Sequence, residues 1–252
     1  MVDKDDVWEF YGETDPYFGV ATVNRFKGEN LDEASRGDFF RSGEIHIGRI
    51  WDEIESVFIS DFRPKRAMDF GCGVGRLVVP MAARCAEVVG VDISDKMLVE
   101  ARKNCDDRRI DNASFALSDE ALSEVAGDFD LIHSFIVFQH INPKKGEKIF
   151  RRMTELLVEN GVGVVHFSIN HRAASAERFR FRLYRDHPIF YRLRMLLKSG
   201  DQPQLIPMYE YDLNRLFLIL QENGCHKCAV RFSYHGFDGV VILFQKTKAE
   251  TY

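Results

Sequence analysis

The chain has 252 residues, of which 45% are hydrophobic, and its formal net charge at pH 7 is −5. This size and composition fit one large α/β domain with a substantial core, whereas the negative charge argues against a general nucleic-acid coat protein, which needs a basic surface to neutralise phosphates. The five cysteines do not form the pattern of a small disulfide-rich domain, and neither a signal peptide nor an apolar run of membrane-spanning length is evident, so we expect a soluble, cytoplasmic protein.

The first predicted element is an aromatic-rich segment. The stretch "VWEFYGETDPYFGV", residues 7–20, contains five aromatic side chains: Trp8, Phe10, Tyr11, Tyr17 and Phe18. Such a density suits a lid over a cofactor and an acceptor, and it equally suits a helix that packs itself onto the core. Apolar residues then recur at helical spacing from Glu44 to Phe62. We predict a helical lid region over residues 1–62, with Trp8, Tyr11 and Tyr17 as candidate acceptor contacts.

The next part of the chain alternates between short apolar runs and helical patterns. The predicted strands are "RAMDF", "AEVVGVD", "ASFAL", "FDLIHS" and "GVGVVHFSI", and the predicted helices begin near Arg76, Asp95 and Lys144. Asn142 and Pro143 are suited to cap and start the last of these helices. Pro80 must lie either in the first turns of its helix or at a kink. Strand and helix repeated at this spacing predict a parallel sheet covered on both faces.

The alternation stops after the last of these strands. A long segment, residues 170–207, precedes a helix around Tyr211 to Glu222, and two further strands flank a Gly-Phe-Asp-Gly turn near the end. We therefore predict one α/β domain over residues 63–252, with an inserted cap at 170–207.

A glycine-rich loop follows the first predicted strand. The stretch "DFGCGVGRL" places Gly71, Gly73 and Gly75 on alternate residues between a strand and a helix, which lets backbone N–H groups approach a ligand closely. Asp92, about 20 positions further on, ends the second strand, where a carboxylate can hold ribose hydroxyls. The loop therefore predicts a nucleoside ligand.

Two residues separate a nicotinamide dinucleotide from S-adenosylmethionine. In the dinucleotide fingerprint the third glycine comes one residue later, where this sequence has Arg76. The carboxylate of Asp69 at the mouth of the loop would repel a pyrophosphate, but it suits a ligand with an ammonium group and a sulfonium. Both features favour S-adenosylmethionine.

Four stretches in this order, "MDFGCGVGRL", "VVGVDISDKMLVEARKN", "FDLIHSFIVFQHI" and "LLVENGVGVVHFSI", resemble the successive motifs of the class I S-adenosylmethionine-dependent methyltransferases. The resemblance covers roughly Arg66 to Ile169, and the final hairpin extends it. It implies a Rossmann-like, seven-stranded, mostly parallel sheet with helices on both faces and a C-terminal antiparallel hairpin.

The resemblance also implies a set of cofactor-binding residues. Asp69 and the loop with Gly71, Cys72, Gly73 and Gly75 would take the methionine part, and Asp92 the ribose. Ile93 and Met97 would flank the adenine, Asp119 would lie near its amine, and Phe135 and Ile136 would follow the cofactor. The stretch "ALSDE" stands where a Gly-Asp pair is more usual, and "VENGVG" replaces the common Pro-Gly-Gly turn.

His140, just past the fourth strand, is the candidate general base, because its ordinary pKa is near neutrality and its place borders the expected methyl site. The alternative is a structural histidine, and for His133, inside a strand, a satisfied core residue is the prediction.

The segment between Arg172 and Asp201 holds eight basic and three acidic residues in a chain of negative net charge. It suits an anionic acceptor, bound by residues such as Arg178 and Arg182 with Tyr209 beyond the segment; a solvated helical face and a membrane-surface role are the alternatives. "CHKC", Cys225 to Cys228, has the spacing of a redox or half-metal site, but nothing completes four zinc ligands, so we predict no metal.

The resulting prediction is a methyltransferase acting on a small-molecule acceptor, anionic or sugar-type, with no nucleic-acid partner and no transmembrane segment. A nicotinamide-dependent oxidoreductase and a non-catalytic cofactor-binding partner protein are the alternatives, because the fold alone does not decide the function. The oligomeric state is left open.

Overall fold

The structure, a computed structural model, describes residues 6–172, 183 and 206–248. Its helices are α1 (Asp6–Thr14), α2 (Pro16–Val20), α3 (Glu33–Val57), α4 (Val78–Ala82), α5 (Asp95–Asp106), α6 (Pro143–Glu155) and α7 (Leu213–Glu222). Its strands are β1 (Arg66–Phe70), β2 (Glu87–Asp92), β3 (Ala113–Leu117), β4 (Phe129–Ser134), β5 (Leu157–Asn170), β6 (Lys227–Tyr234) and β7 (Asp238–Gln245).

The strands form one seven-stranded sheet in the order β3-β2-β1-β4-β5-β7-β6. Neighbouring strands from β3 to β5 are parallel, and β7 is antiparallel to both β5 and β6. The chain reverses its lateral direction between β3 and β4, because β4 returns to the far side of β1. In open α/β sheets a ligand crevice forms outside the carboxyl ends of the strands at such a switch point. The predicted fold class is confirmed.

The two faces of the sheet carry separate hydrophobic layers. One layer joins alternate strand residues to apolar side chains of α3, α4 and α5, including Ile50, Met81 and Leu98. The other joins the opposite strand residues to α6 and α7, through side chains such as Phe150 and Leu216. Helices therefore cover both faces of the sheet, as the alternating pattern predicts.

Some helix limits differ from the prediction. Helix α3 begins at Glu33, eleven residues before the predicted start, because the Asp32 side chain accepts a hydrogen bond from the N–H of Ser35 and caps it. Helix α4 is five residues long, and Pro80 is its third residue, in the first turn, where a proline is tolerated. The predicted Asn142 cap of α6 is present, with its side chain accepting from the N–H of Lys144.

The N-terminal elements form a third apolar cluster at the carboxyl end of the sheet. Tyr11, Tyr17, Phe39 and Met97 are buried in it, together with Val74 of the glycine loop. Helices α1 and α2 therefore lie over the loop and over α5. Within the described ranges, no helix has the length and apolar character that crossing a membrane requires.

Candidate active site

The glycine loop occupies the turn between β1 and α4. Gly71, Gly73 and Gly75 have φ angles of 75°, 52° and 82°, in the left-handed region that residues with side chains rarely adopt. A Cβ atom on Gly71 would overlap the side chain of Val137, and one on Gly73 would overlap that of Val20. Backbone conformation and close approach both require glycine at these two positions.

The loop is anchored to the second strand. The N–H groups of Gly71 and Cys72 donate to the carbonyl of Val91, at 2.7 Å and 3.0 Å. Cys72 is buried, and burial raises the pKa of its thiol well above the ordinary value. Its thiol is therefore a small packing group, which agrees with its expected place in the loop.

Asp92 at the end of β2 links the loop to α5. One carboxylate oxygen accepts from the N–H of Gly73 at 2.8 Å, and the other accepts from the N–H of Ser94 at 3.0 Å. Burial raises the pKa of Asp92 to about 6, although these backbone hydrogen bonds oppose the rise. Each oxygen keeps a second lone pair, so an ionised Asp92 can accept from two neighbouring hydroxyls.

Asp69 lies beneath the loop and is almost completely buried, at 2% exposure. Its Oδ1 is 2.9 Å from Nδ1 of His133, which is also buried, and Nε2 of His133 is 3.1 Å from Nε2 of His46 on α3. Burial lowers the pKa of His46 to about 2, so this imidazole is neutral at physiological pH. The prediction that His133 is a satisfied core residue agrees with this arrangement.

The residues expected near the adenine lie at the carboxyl ends of β2 and β3. Met97 is buried beneath the N-terminal helices, and Ile93, just before the start of α5, is half-buried. Asp119 is exposed, and its carboxylate accepts from the N–H groups of Ala121 and Ser123 and from the Ser123 hydroxyl. These hydrogen bonds, with Ser123 first, lower the pKa of Asp119. Its place near an adenine amine stays a prediction.

The chain bends sharply after β4. Ile136 has a φ of 62°, and a β-branched residue in this region is strained, a feature that concentrates at functional sites. The preceding residue is Phe135, and the centroid of its ring lies 4.2 Å from that of the His46 ring. Both residues lie at the carboxyl end of the sheet, where the cofactor prediction needs them.

Helix α1 contacts the start of α5 directly. Oε1 of Glu9 accepts from the N–H of Asp95 at 2.7 Å, which satisfies a backbone donor in the first helical turn. A Cβ atom on Gly12 would come within 3 Å of the side chains of Ser94 and Lys96. The two helices are therefore in close contact beside Asp92.

The three aromatic residues predicted to contact an acceptor are in different surroundings. Tyr17 is buried against α5, where its hydroxyl lies 2.8 Å from Oε1 of Glu100 and 2.9 Å from Oδ1 of Asn104, and burial raises its pKa to about 12. Tyr11 is buried in the same cluster. Trp8 is half-buried, and its ring packs 5.1 Å from that of His140. Of the three, Trp8 lies beside the candidate base.

Both ring nitrogens of His140 are engaged in hydrogen bonds. Nδ1 donates to the carbonyl of Pro207 at 3.0 Å, which leaves Nε2 to accept from the side-chain amide of Gln139, also at 3.0 Å. Oε1 of Gln139 accepts in turn from the hydroxyl of Ser168. Burial lowers the pKa of His140 to about 4, so the ring is neutral at physiological pH. The structural alternative is thus well supported, and the catalytic role stays a prediction.

Sequence reasoning missed a group of histidines around Phe135. The ring of Phe135 lies 5.3 Å from that of His166 on β5 and 5.4 Å from that of His235 in the β6–β7 turn, and His46 is on its other side. Nε2 of His166 is 2.9 Å from the hydroxyl of Ser233, and its buried Nδ1 has no hydrogen-bond partner among the described residues. These residues come from α3, the end of β4, β5 and the β6–β7 turn, so no local motif contains them.

The remaining predicted positions are away from this centre or outside the described residues. Arg178, Arg182 and most of the predicted cap at 170–207 lie outside the described residues. Tyr209 is buried, and its N–H donates to the carbonyl of Gln139 at 2.7 Å. Cys225 is buried and Cys228 is exposed, both as free thiols. Within the part of the chain that the structure describes, no cluster of histidine, cysteine or carboxylate residues could hold a metal ion.

Comparison with known proteins agrees with this geometry. A family model described as "Methyltransferase domain" matches residues 67–161. A ubiquinone biosynthesis O-methyltransferase of Sinorhizobium medicae is 36% identical over 103 residues, which are 38% of this chain and 42% of that protein. The 23S rRNA (uracil(1939)-C(5))-methyltransferase RlmD of Shewanella frigidimarina is 38% identical over 55 residues, 22% of this chain and 12% of that one. Less than half the length of either relative is therefore matched.

The fold has a similar solved structure. Magnesium protoporphyrin IX methyltransferase of Synechocystis PCC 6803 with bound S-adenosylhomocysteine superposes with a TM-score of 0.63 at 17% identity, covering 97% of this chain and all of that one. The matched residues 67–161 contain the glycine loop, Asp92, the β4 end and α6. Residues 67–161 therefore match a methyltransferase domain, and the fold of the chain is similar to that of a methyltransferase solved with bound S-adenosylhomocysteine.

Proposed function

We propose that this domain transfers a methyl group from S-adenosylmethionine to an oxygen atom of a small-molecule acceptor. The observation that carries the proposal is the loop itself: left-handed glycines that nothing larger can replace, held to a carboxylate that ends β2. A carboxylate is suited to a ribose diol, and the buried carboxylate of Asp69 below the loop is suited to a cationic ligand.

The residues present fit the cofactor. Asp69 and the backbone of Gly71 to Gly75 would hold its amino acid end, and Asp92 its ribose. Ile93 and Met97 would border the adenine with Asp119 near the amine, and Phe135 and Ile136 would line the side that faces the acceptor. When bound, S-adenosylmethionine supplies an electrophilic methyl carbon on a sulfonium.

The chain's own residues then position the reactants and exclude water. Methyl transfer is an in-line displacement, so orientation in a dry site supplies most of the acceleration. Helices α1 and α2 cover the loop, and we assign them the lid role, with Trp8 over the acceptor side. His140 stays the candidate base: its Nε2 would take the acceptor proton in exchange for the hydrogen bond from Gln139.

The acceptor class rests on two supports. The ubiquinone-biosynthesis relatives are named O-methyltransferases, which supports an oxygen atom as the acceptor. The eight basic and three acidic residues between Arg172 and Asp201 support an anionic or sugar-type molecule, such as a sugar phosphate. The negative net charge supports a small molecule over RNA, although one relative is named as an rRNA enzyme.

Titration calorimetry with S-adenosylhomocysteine and with NADH tests the proposal. We expect the wild-type protein to bind the former alone, and Asp92→Ala to lose that binding because the ribose hydroxyls lose their acceptor. Asp111→Ala, which removes an exposed carboxylate away from the loop, is the matched control and should bind normally. Binding of NADH instead would contradict the proposal. If S-adenosylhomocysteine binds as expected, an acceptor screen that measures its release should begin with sugar phosphates.

A further inference from the structure

A chain of three buried or half-buried polar side chains connects the cofactor loop to helix α3. Asp69 and His133 are 2% and 1% exposed, and they occupy directly paired positions on β1 and β4. Their side chains meet at 2.9 Å, and His46 reaches the far nitrogen of His133 at 3.1 Å from α3. The three groups come from three separate elements.

The hydrogen-bond roles in this chain follow from the carboxylate of Asp69. An ionised carboxylate only accepts hydrogen bonds, so Nδ1 of His133 must donate to Asp69. With one proton on the His133 ring, its Nε2 is an acceptor, and His46 donates to it from its own Nε2. Each member therefore fixes the tautomer or the orientation of the next.

The hydrogen bond with His133 occupies one of the two carboxylate oxygens of Asp69. His133 engages Oδ1, and among the described residues no group donates a hydrogen bond to Oδ2. The guanidinium of Arg76 lies near Asp69 and donates a hydrogen bond to the hydroxyl of Ser42. Burial lowers the pKa of Arg76, and the carboxylate of Asp69 opposes this with a smaller effect. A buried carboxylate with one fixed and one free oxygen is prepared for a cationic ligand group.

We propose that His133 is a positioning residue of the cofactor site: it holds one oxygen of Asp69 so that the other meets the ammonium group of the cofactor, and His46 holds the His133 ring in the required tautomer. The inference rests on the proposed function, because it assigns a role toward the amino acid end of S-adenosylmethionine. It also connects α3, which lies outside residues 67–161, to cofactor binding.

If Asp69 and His133 only stabilise the core, their loss affects different ligands than the loss of a positioning residue does. Loss of a core pair would disturb the whole site and weaken every nucleoside ligand alike. Loss of a positioning residue for Asp69 weakens S-adenosylhomocysteine, which carries an ammonium group, and spares 5′-methylthioadenosine, which has the same nucleoside and thioether without the amino acid end.

Titration calorimetry of both ligands on two matched variants tests this difference. His133→Asn places an amide N–H near the position of Nδ1 and keeps the donor to Asp69, so S-adenosylhomocysteine should bind within about threefold of wild type. His133→Gln places its amide near the position of Nε2 and leaves Asp69 unpaired, so we expect a loss of about 10–100-fold, as for other supporting hydrogen bonds. Binding of 5′-methylthioadenosine should stay within about threefold in both.

Several outcomes would overturn the inference. His133→Gln binding S-adenosylhomocysteine as tightly as wild type would do so, as would an equal loss for both ligands. If His133→Gln does not fold, His46→Ala serves instead: it frees the His133 ring and should weaken only S-adenosylhomocysteine. Failure of the wild-type protein to bind either ligand would instead refute the proposed function.

Discussion

The ionised form of Asp92, the proposed ribose-binding residue, is disfavoured by burial in the free protein. Its carboxylate accepts hydrogen bonds from the N–H groups of Gly73 and Ser94, which lower its pKa. Burial has the larger effect and raises the pKa to about 6. Desolvation favours the neutral acid, whereas binding a ribose diol needs the ionised form, which has acceptors on both oxygens.

This shift predicts a pH dependence of cofactor binding. A carboxyl group with a pKa of about 6 is mostly ionised at pH 7 and about one-tenth ionised at pH 5. Because only the ionised form accepts from both hydroxyls, the affinity for S-adenosylhomocysteine should fall about tenfold between pH 7 and pH 5. Calorimetry across this range measures it, with circular dichroism as the control for folding. An affinity that does not change would contradict the assignment of Asp92.

The sequence predicted the residues of the loop better than those that support it. Gly71, Gly73 and Asp92 follow from a local strand, loop and helix pattern, and the backbone angles explain why. His46 and His133 are 87 residues apart, and their contact depends on how α3 crosses the sheet. No spacing within one element encodes such a pair.

At the scale of elements, the N-terminal helices lie outside the family match. The match covers residues 67–161, whereas α1 and α2 lie over the glycine loop through Val20 and contact α5 through Glu9. The sequence left open whether this segment is a lid or a self-packing helix. Tyr17 packs against α5, as a self-packing helix would, whereas Trp8 lies beside His140, where the proposed lid needs it.

Tryptophan fluorescence can report on this lid. The chain has two tryptophans: Trp51 is buried in the core beneath the sheet, and Trp8 is half-buried on α1. We expect S-adenosylhomocysteine to change the emission of Trp51→Phe, in which Trp8 is the reporter, because α1 lies over the binding loop. The same titration on Trp8→Phe should show little change. A response carried by Trp51 instead would argue against the lid.

The helix pattern also shows where prediction from sequence was incomplete. The first turns of α3 contain Gly37, and their apolar residues Phe39 and Phe40 point into the N-terminal cluster instead of the sheet. Helical periodicity toward the sheet begins only near Ile47, which is why the predicted start was late. Because α3 packs against the N-terminal cluster at its start and against the sheet further on, its apolar residues do not form a single stripe.

At the scale of the whole molecule, the sheet ends in an edge strand with an apolar face. Among the described residues, strand β6 pairs only with β7, and Val230, Phe232 and Tyr234 on one face of it are 42%, 79% and 61% exposed. Exposed edges with apolar side chains favour non-specific association between chains.

Phe232→Lys should therefore raise the protein concentration at which light scattering begins on warming, while S-adenosylhomocysteine binding is unchanged. A charge on an edge strand opposes strand pairing between molecules. Phe217→Lys on α7 makes the same charge change at a residue that is 36% exposed and away from the edge, and it should have the smaller effect. Equal effects would show that the edge position of Phe232 is not responsible.

The contact between Tyr17 and Glu100 has a consequence for biosynthesis. The two residues are separated by 83 positions, so at about 5–20 residues per second the ribosome needs roughly 4–17 s to make the surface on which the aromatic segment packs. During that interval the segment leaves the ribosome before its binding surface exists. Helices α1 and α2 are thus synthesised before the surface on which they dock, and the five aromatic side chains of their segment stay unpacked until α5 has emerged.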